Sequence, residues 1–183
     1  MDLGGGRRRA SVTARIVVTP LASLAEVVEA YAPKRLVTMM SRPAEVERPA
    51  TIAPEDHLYL TFNDIEAPRE GLVPPGDHHV DALLRHVAKW DRRAPLVLQC
   101  WFGVSRSTAA GLIALMALSR DASPEDLARR LREAAPFATP NRLMIAIADR
   151  KLDARGRLID AVSGIGRGAE VSTGSPFVLN LRE

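Results

Sequence analysis

The feature that most constrains the fold is an apolar strand pattern that leads, through one short loop, into an apolar helix pattern. Residues 96–108 read LVLQCWFGVSRST, and the alanine-rich helix pattern continues from Arg106 to about residue 119. Backbone N–H groups of such a loop, together with the N-terminus of the helix, form a binding site for a phosphate-sized anion. The only cysteine of the chain, Cys100, is placed at this anion site.

The residues around Cys100 have a defined chemistry. The positive field of the loop favours a thiolate, which is a strong nucleophile. Arg106 brings a planar fork of donors that can bind two phosphoryl oxygens. Gly103 permits a backbone turn that a Cβ would hinder. The pattern therefore predicts a thiolate nucleophile in a phosphate-binding loop, and the simpler alternative is a small buried cysteine at a strand end.

Residues 99–107, QCWFGVSRS, resemble the signature H-C-x-x-G-x-x-R-S/T of the cysteine-dependent protein tyrosine phosphatases, nearest to the dual-specificity type. The resemblance implies that Cys100 attacks phosphorus, that a cysteinyl-phosphate forms, and that water releases phosphate without a metal or another cofactor. It also implies that the Ser107 hydroxyl assists departure of the thiolate. The phosphate would be bound by Trp101, Phe102, Gly103, Val104, Ser105 and Arg106.

Two residues depart from the pattern of that family. Gln99 stands where the family has His, and its amide can hydrogen-bond neighbouring backbone but cannot carry a charge. We expect slower chemistry from this change, with the phosphate site retained. Phe102 stands where a small Ala is common. Together with Trp101 it forms an aromatic pair that either walls the mouth of the pocket or packs into the core.

The reaction needs a general acid, because an alkoxide or phenoxide leaves poorly without a proton. Residues 57–62 alternate as a strand and are followed by Asn63 and Asp64. Asp64 therefore lies in a loop just past a strand end, which is the position of the acid aspartate in the resembling family. The alternative is that Asp64 forms an Asx turn that only ends the strand.

A further polar residue is expected near the loop. Thr139 and Pro140 are typical of an N-cap and a first helical residue, so a helix is predicted to open there. The pair Pro140 and Asn141 also resembles the Pro-Asn of dual-specificity phosphatases. By that likeness Asn141 would hydrogen-bond the phosphate loop and hold its shape.

Strand and helix patterns alternate along the chain, which predicts an α/β domain with a central sheet flanked by helices. The resemblance implies a single phosphotyrosine phosphatase-like domain over residues 15–152, with a mostly parallel sheet. Residues 1–14 are expected to be a flexible leader. Residues 153–183 are expected to be a partly flexible C-terminal extension. Within it, residues 176–181 have the pattern of a short terminal strand. Asp77 is predicted to cap a helix, and another helix starts at Ser123.

Composition limits the partners of the chain. The net charge is +3 with basic residues scattered among 22 acidic ones, which suits an anionic substrate and predicts no nucleic-acid partner. A single cysteine excludes an intrachain disulfide and favours a reducing compartment, so we expect a cytoplasmic protein. No apolar run approaches the ~20 residues that span a bilayer, so no membrane association is expected. The adjacent His78 and His79 do not predict a metal site, since neighbouring helical residues point apart.

Three functions are compatible with these residues. The first is a phosphatase acting on a phosphorylated protein or a small phosphomonoester. The second is a catalytically weak phosphate-binding pseudophosphatase, which Gln99 suggests. The third is a rhodanese-type sulfurtransferase, which also places a thiolate between a strand and a helix. Three features favour the first over the third: Ser107 after Arg106, Asp64 after its strand, and the Thr139-Pro140-Asn141 sequence at the predicted helix start. The sequence leaves the oligomeric state open.

Overall fold

The computed structural model of the protein describes residues 14–43, 46–119 and 121–181. The predicted flexible leader, residues 1–14, lies outside the described residues except for Ala14. The structure confirms the predicted α/β class with a mostly parallel sheet. None of the helices in the described part of the chain combines the length and the apolarity needed to cross a bilayer. Among the same residues, no three His, Cys, Asp or Glu side chains are grouped so that they could hold a metal ion.

Five strands of the described residues form one sheet. They are β1 (Arg15–Pro20), β2 (Arg35–Met40), β3 (His57–Thr61), β4 (Leu96–Cys100) and β5 (Phe177–Asn180), in the spatial order β3-β2-β4-β1-β5. The first four strands are parallel, and β5 pairs antiparallel with β1 at one edge. Strand β4 is central and buried along its whole length, which explains its continuous apolar sequence.

The register of the central strands determines where the site lies. Cys100, the last residue of β4, pairs with Pro20 at the end of β1 and with Met39 near the end of β2. The carboxyl ends of three parallel strands therefore meet around the cysteine. Ligands of open α/β sheets bind at this edge.

The described residues form six α-helices. They are α1 (Leu24–Tyr31), α2 (Asp77–Ala88), α3 (Arg106–Leu118), α4 (Pro124–Ala134), α5 (Arg142–Lys151) and α6 (Arg157–Ile165). Helix α1 packs on one face of the sheet, where Val17, Leu24 and Val27 share a small core. The other helices contribute to a larger core that includes Ile16 and Val18, so successive residues of β1 point to opposite faces.

The structure corrects one predicted helix start, that of α2, and confirms another, that of α4. Asp77 was predicted to cap α2, and this is wrong, because Asp77 is the first helical residue and Gly76 precedes it as the N-cap. The backbone N–H of Gly76 is satisfied by Nδ1 of His79 at 3.0 Å. Ser123 is confirmed as the start of α4, since its hydroxyl accepts a hydrogen bond from the N–H of Asp126 at 3.0 Å.

The C-terminal residues carry two elements that join the same core as the rest of the chain. Strand β5 confirms the predicted terminal strand, and helix α6 was not predicted. Helix α6 follows Gly156, and its first turn is capped from a distance by the buried carboxylate of Asp149 in α5. That carboxylate accepts hydrogen bonds from the N–H groups of Gly156 at 2.7 Å and Leu158 at 2.9 Å. Because the capping group comes from α5, the sequence around residues 157–165 does not itself predict a helix start.

Candidate active site

The strand-to-helix loop, residues 100–106, is called the cysteine loop here. It starts at Cys100 at the end of β4 and ends at Arg106, the first residue of α3. Gly103 has a φ of +69°, which an L side chain rarely adopts. A Cβ at this position would lie 2.8 Å from the backbone nitrogen of Pro20. Glycine is thus required by both the conformation and the close approach of β1.

The carbonyl groups of the cysteine loop are bound by surrounding elements. The oxygens of Trp101, Phe102 and Val104 accept hydrogen bonds from the N–H groups of Leu21, Gly174 and Thr139 at 3.2, 2.9 and 3.0 Å. In contrast, the described residues offer no acceptor for the amide N–H groups of residues 102–105. The loop therefore has anchored carbonyls and unoccupied amides, as an anion site requires.

The sulfur of Cys100 lies under the loop with one close polar neighbour. Cys100 is 2% exposed, and its Sγ is 3.1 Å from Oγ of the buried Ser107. Ser107 stands in the first turn of α3, so the helix places its hydroxyl against the sulfur. The resemblance predicted this neighbour for the nucleophile.

The guanidinium of Arg106 is turned into the protein. The residue is 4% exposed, and its Nη1 donates to the carbonyl of Phe62 at 3.0 Å and to Oγ of Ser41 at 3.4 Å. Its Nε is buried and has no hydrogen-bond partner among the described residues. One edge of the guanidinium is therefore fixed by residues that follow β2 and β3, and the Nε edge is left to bind an anion.

Asp64 lies in the loop after β3, as predicted, and its carboxylate is held from two sides. Oδ1 accepts hydrogen bonds from the hydroxyl of Ser105 at 2.7 Å and from Nδ2 of Asn141 at 2.9 Å. Oδ2 lies 4.0 Å from Nε of Arg106. The side chain of Asp64 is 36% exposed, so the carboxyl group borders both the buried arginine and the solvent.

The prediction that Thr139 caps α5 and that Pro140 is its first residue is wrong. Helix α5 starts at Arg142, and Asn141 is the N-cap, with its Oδ1 accepting from the N–H of Met144 at 3.0 Å. Thr139 is occupied elsewhere, because its N–H donates to the cysteine loop and its hydroxyl accepts from the N–H of Gly168 at 3.1 Å.

Asn141 contacts the cysteine loop through its backbone rather than its side chain. Its N–H donates to the carbonyl of Ser105 at 3.4 Å, as the resemblance suggested in outline. Its side-chain amide instead donates to Asp64 and, at 3.4 Å, to the carbonyl of Ile65. Asn141 therefore links the cysteine loop, the Asp64 loop and the start of α5.

Gln99 hydrogen-bonds neighbouring backbone as expected. Its Nε2 donates to the carbonyl of Cys100 at 3.1 Å and lies 3.7 Å from the sulfur of Met40. Its Oε1 is buried and has no partner among the described residues. This position therefore supplies a neutral amide next to Cys100.

The aromatic pair is at the surface. Trp101 is 45% exposed and Phe102 is 51% exposed, with ring centroids 6.4 Å apart in an edge-on arrangement. Of the two interpretations, packing into the core is therefore wrong.

Six of the predicted site residues share one cavity of about 210 Å³, and the predicted phosphate-binding residues Trp101 and Gly103 do not line it. It is lined by Cys100, Arg106, Asp64, Phe102, Val104, Ser105, Val171 and Ser172. A second cavity of about 420 Å³ adjoins it at Asp64 and Ser105 and extends toward Arg69. Val171 and Ser172 were missed by the sequence analysis. The only signal for them is indirect, because a terminal strand beside β1 forces the preceding residues to cross this edge of the sheet.

Comparison with known proteins agrees with this arrangement at the level of the fold. No protein-family model and no curated protein matches the chain. Among solved structures, the PTP-2 phosphatase of Cydia pomonella is 12% identical, with 92% of this chain and 96% of that chain covered and a TM-score of 0.59. DUSP15 is 13% identical over 85% of this chain and 93% of that one, with a TM-score of 0.55.

A third structure, Tk-PTP in its active form, is 19% identical over 79% of this chain and 95% of that one, again with a TM-score of 0.55. Together these likenesses show that the chain has the fold of the protein tyrosine and dual-specificity phosphatases, as residues 99–107 predicted.

Proposed function

On the premise of this fold, we propose that the protein is a phosphatase that hydrolyses phosphotyrosine monoesters through a cysteinyl-phosphate. Phosphoserine and phosphothreonine are further candidate substrates. The observation that carries the proposal is the shared cavity. It brings the sulfur of Cys100, the buried guanidinium of Arg106 and the carboxyl group of Asp64 to one place.

Anion binding is the first requirement, and two sets of donors support it. The amides of residues 102–105 have no acceptor within the described residues, and neither does Nε of Arg106. Nε of Arg106 is buried, and a buried donor without a partner costs free energy that an anion oxygen would recover. Backbone amides and a guanidinium edge together suit the oxygens of a phosphoryl group, whose charge spreads in the transition state.

In the first step, the Cys100 thiolate attacks phosphorus. The S–P bond forms while the bond from phosphorus to the leaving oxygen breaks, and Asp64 gives its proton to that oxygen. Oδ1 of Asp64 accepts two hydrogen bonds, whereas Oδ2 accepts none from the described residues. Oδ2 is therefore the oxygen that carries the transferred proton.

In the second step, water attacks the phosphorus of the cysteinyl-phosphate. Asp64, now a carboxylate, takes a proton from the water, the S–P bond breaks, and inorganic phosphate is released. The thiolate that leaves is stabilised by the Ser107 hydroxyl, which lies 3.1 Å from the sulfur. This second step restores the thiolate of Cys100 and the protonated Asp64, so no other reactant is consumed.

The substrate is a phosphorylated protein or a small phosphomonoester, and the cytoplasm is the proposed location. A nucleophilic thiol survives in a reducing compartment. The cavity next to Asp64 offers room for residues that flank a phosphorylated side chain.

Hydrolysis of p-nitrophenyl phosphate tests the proposal, with tungstate binding measured by calorimetry in the same samples. We expect turnover by the natural protein, a loss of roughly 10³-fold or more in Cys100→Ser, and tungstate binding by both. Release of phosphate by Cys100→Ser at the natural rate would rule out the mechanism.

The second candidate function, a pseudophosphatase, is supported by the neutral amide of Gln99 behind the nucleophile. It predicts tungstate binding without turnover in the natural protein. The rhodanese-type alternative predicts transfer of sulfur from thiosulfate to cyanide, and it leaves Asp64 and Ser107 without a role.

A further inference from the structure

The segment that connects α6 to β5, residues 166–176, passes over the cysteine loop and is called the strap here. Three of its backbone N–H groups donate hydrogen bonds to the residues around it. The N–H of Gly168 donates to Oγ1 of Thr139 at 3.1 Å, that of Ala169 to the carbonyl of Pro136 at 2.9 Å, and that of Gly174 to the carbonyl of Phe102 at 2.9 Å. The last bond joins the strap to the cysteine loop itself.

Two glycines let the strap approach closely. A Cβ at Gly168 would lie 2.4 Å from the backbone carbon and oxygen of Phe137. A Cβ at Gly174 would lie 2.4 Å from Cε2 of Phe137 and 3.1 Å from the carbonyl oxygen of Gly103. Both positions lack space for a side chain, so the strap is fitted against its neighbours at both ends.

Between these attached ends, the strap contributes Val171 and Ser172 to the cavity that contains Cys100. Val171 is 41% exposed and Phe102 is 51% exposed, so both present apolar surface at the mouth of the cavity. The polar groups of the cavity, from the cysteine loop, Arg106 and Asp64, serve the phosphoryl group. The apolar side chains at the mouth are available to the remainder of the substrate.

We propose that the strap is a substrate-specificity element, in which Val171 and Phe102 hold the ring of an aryl phosphate and so favour aryl over alkyl phosphomonoesters. This inference rests on the proposed function and deepens it. An aromatic ring loses contact with water when it packs against these side chains, whereas a short alkyl group has little surface to bury. The phosphoryl group gains nothing from Val171, because a valine side chain has no donor.

Binding of phosphonates tests the strap independently of turnover, because their P–C bond is not an ester. We would titrate the full chain with phenylphosphonate, methylphosphonate and tungstate by calorimetry. In Val171→Ala we expect the affinity for phenylphosphonate to fall about tenfold, the usual cost of lost apolar contact in a binding pocket. Affinities for methylphosphonate and tungstate should change less than about twofold, since neither ligand has a ring.

The matched control is Ile159→Ala on α6, which truncates an aliphatic side chain that is 40% exposed and does not line the cavity. It should leave all three affinities unchanged. An equal loss for all three ligands in Val171→Ala, or no loss for phenylphosphonate, would overturn the inference.

The same samples separate the two proposals. Selective loss of phenylphosphonate binding, together with no turnover of p-nitrophenyl phosphate, would support the strap and reject the phosphatase activity. Turnover of p-nitrophenyl phosphate, together with an affinity for phenylphosphonate that Val171→Ala does not lower, would support the activity and reject the role of the strap.

Discussion

Asp64 is the residue whose environment most directly assigns a chemical role. The hydroxyl of Ser105 and the amide of Asn141 both donate to its Oδ1, so the orientation of the carboxyl group is fixed before substrate binds. Arg106 lies on the other side, 4.0 Å from Oδ2. A carboxyl group positioned in this way suits the general acid of the proposed mechanism, because it lines the same cavity as Cys100.

At Asp64, replacement by Asn should slow the first step according to the leaving group. Turnover of phenyl phosphate, whose phenoxide leaves poorly without a proton, should fall about 10²-fold or more. Turnover of p-nitrophenyl phosphate should fall much less, because nitrophenoxide leaves readily. The Asn oxygen can still accept from Ser105 and Asn141, so the loop stays in place.

Glu66→Gln is the control for Asp64→Asn. Glu66 is a neighbouring carboxylate whose Oε1 accepts from the N–H of Arg142 at 3.0 Å, and it does not line the Cys100 cavity. It should leave both rates unchanged. Equal effects of Asp64→Asn on the two substrates would remove Asp64 from the role of the acid.

Most residues of the candidate site could be predicted because they lie in one contiguous motif. Cys100, Arg106 and Ser107 stand at fixed spacings around a strand-to-helix turn, and Asp64 follows a recognisable strand. The pairing of Asn141 with Asp64 was not predicted, because it depends on two loops that are 77 residues apart in sequence. Local rules favoured Thr139 as the cap, and they could not show that its polar groups bind the cysteine loop and the strap.

At the scale of the element, the cysteine loop depends on its contact with β1. Gly103 combines a φ of +69° with a backbone neighbour 2.8 Å from the position of a Cβ. Gly71 has a similar φ of +73°, but a Cβ added there would meet no atom within 4 Å. Substitutions at the two glycines therefore distinguish the cost of conformational strain, which both share, from the cost of steric overlap, which only Gly103 has.

Gly103→Ala and Gly71→Ala form a matched pair for this element. We expect Gly71→Ala to lower the free energy of unfolding by about 1 kcal/mol, the cost of a positive φ for an L residue. Gly103→Ala should lower it by about 2–4 kcal/mol, because the overlap with Pro20 adds to that cost. Urea unfolding measures both changes.

Tungstate binding is the second readout for this pair. It should be lost in Gly103→Ala, since the loop must shift to admit the methyl group, and it should persist in Gly71→Ala. Unfolding free energies that are equal in the two variants would contradict the structural role given to Gly103.

The elements themselves were largely predictable, and the exceptions have a common cause. Hydrophobic periodicity and helix-start signals predicted β3, β4, α3 and the starts of α2, α4 and α5 to within a few residues, because both are local properties. Helix α6 was missed because its N-terminus is capped by Asp149 of the preceding helix. The strap was missed because its place depends on the antiparallel pairing of β5 with β1.

At the scale of the whole molecule, buried histidines connect stability to pH. Burial, together with the nearby positive charge of Arg35, lowers the pKa of His86 in α2 to about 4, although Asp56 opposes this shift. Burial likewise lowers the pKa of His57 and of His79. Each of these residues is therefore neutral in the folded protein at a pH where the unfolded chain would bind a proton.

The stability of the fold should consequently decrease in mild acid. The contribution of His86 is fully present above its unfolded pKa of about 6.5, and it is lost as the pH falls toward the folded pKa of about 4. Linkage gives a loss of about 2–3 kcal/mol over this interval. Urea unfolding at a series of pH values between 7 and 4 measures it.

His86→Gln should flatten this pH dependence, because glutamine does not titrate, and the exposed His78→Gln should not. A natural protein with the same free energy of unfolding at pH 7 and pH 4.5 would contradict the burial argument. So would an unchanged pH dependence in His86→Gln.

Identification of the covalent intermediate on Cys100 tests the proposed mechanism most directly. We would mix the protein with p-nitrophenyl phosphate, quench with acid within the first turnover, and find the phosphorylated peptide by mass spectrometry. Ser107→Ala should increase the trapped fraction, since in the proposed mechanism the hydroxyl 3.1 Å from the sulfur assists the second step. We expect a phosphoryl group on the peptide that contains Cys100. Turnover without any phosphorylated Cys100 in either protein would contradict the proposed mechanism.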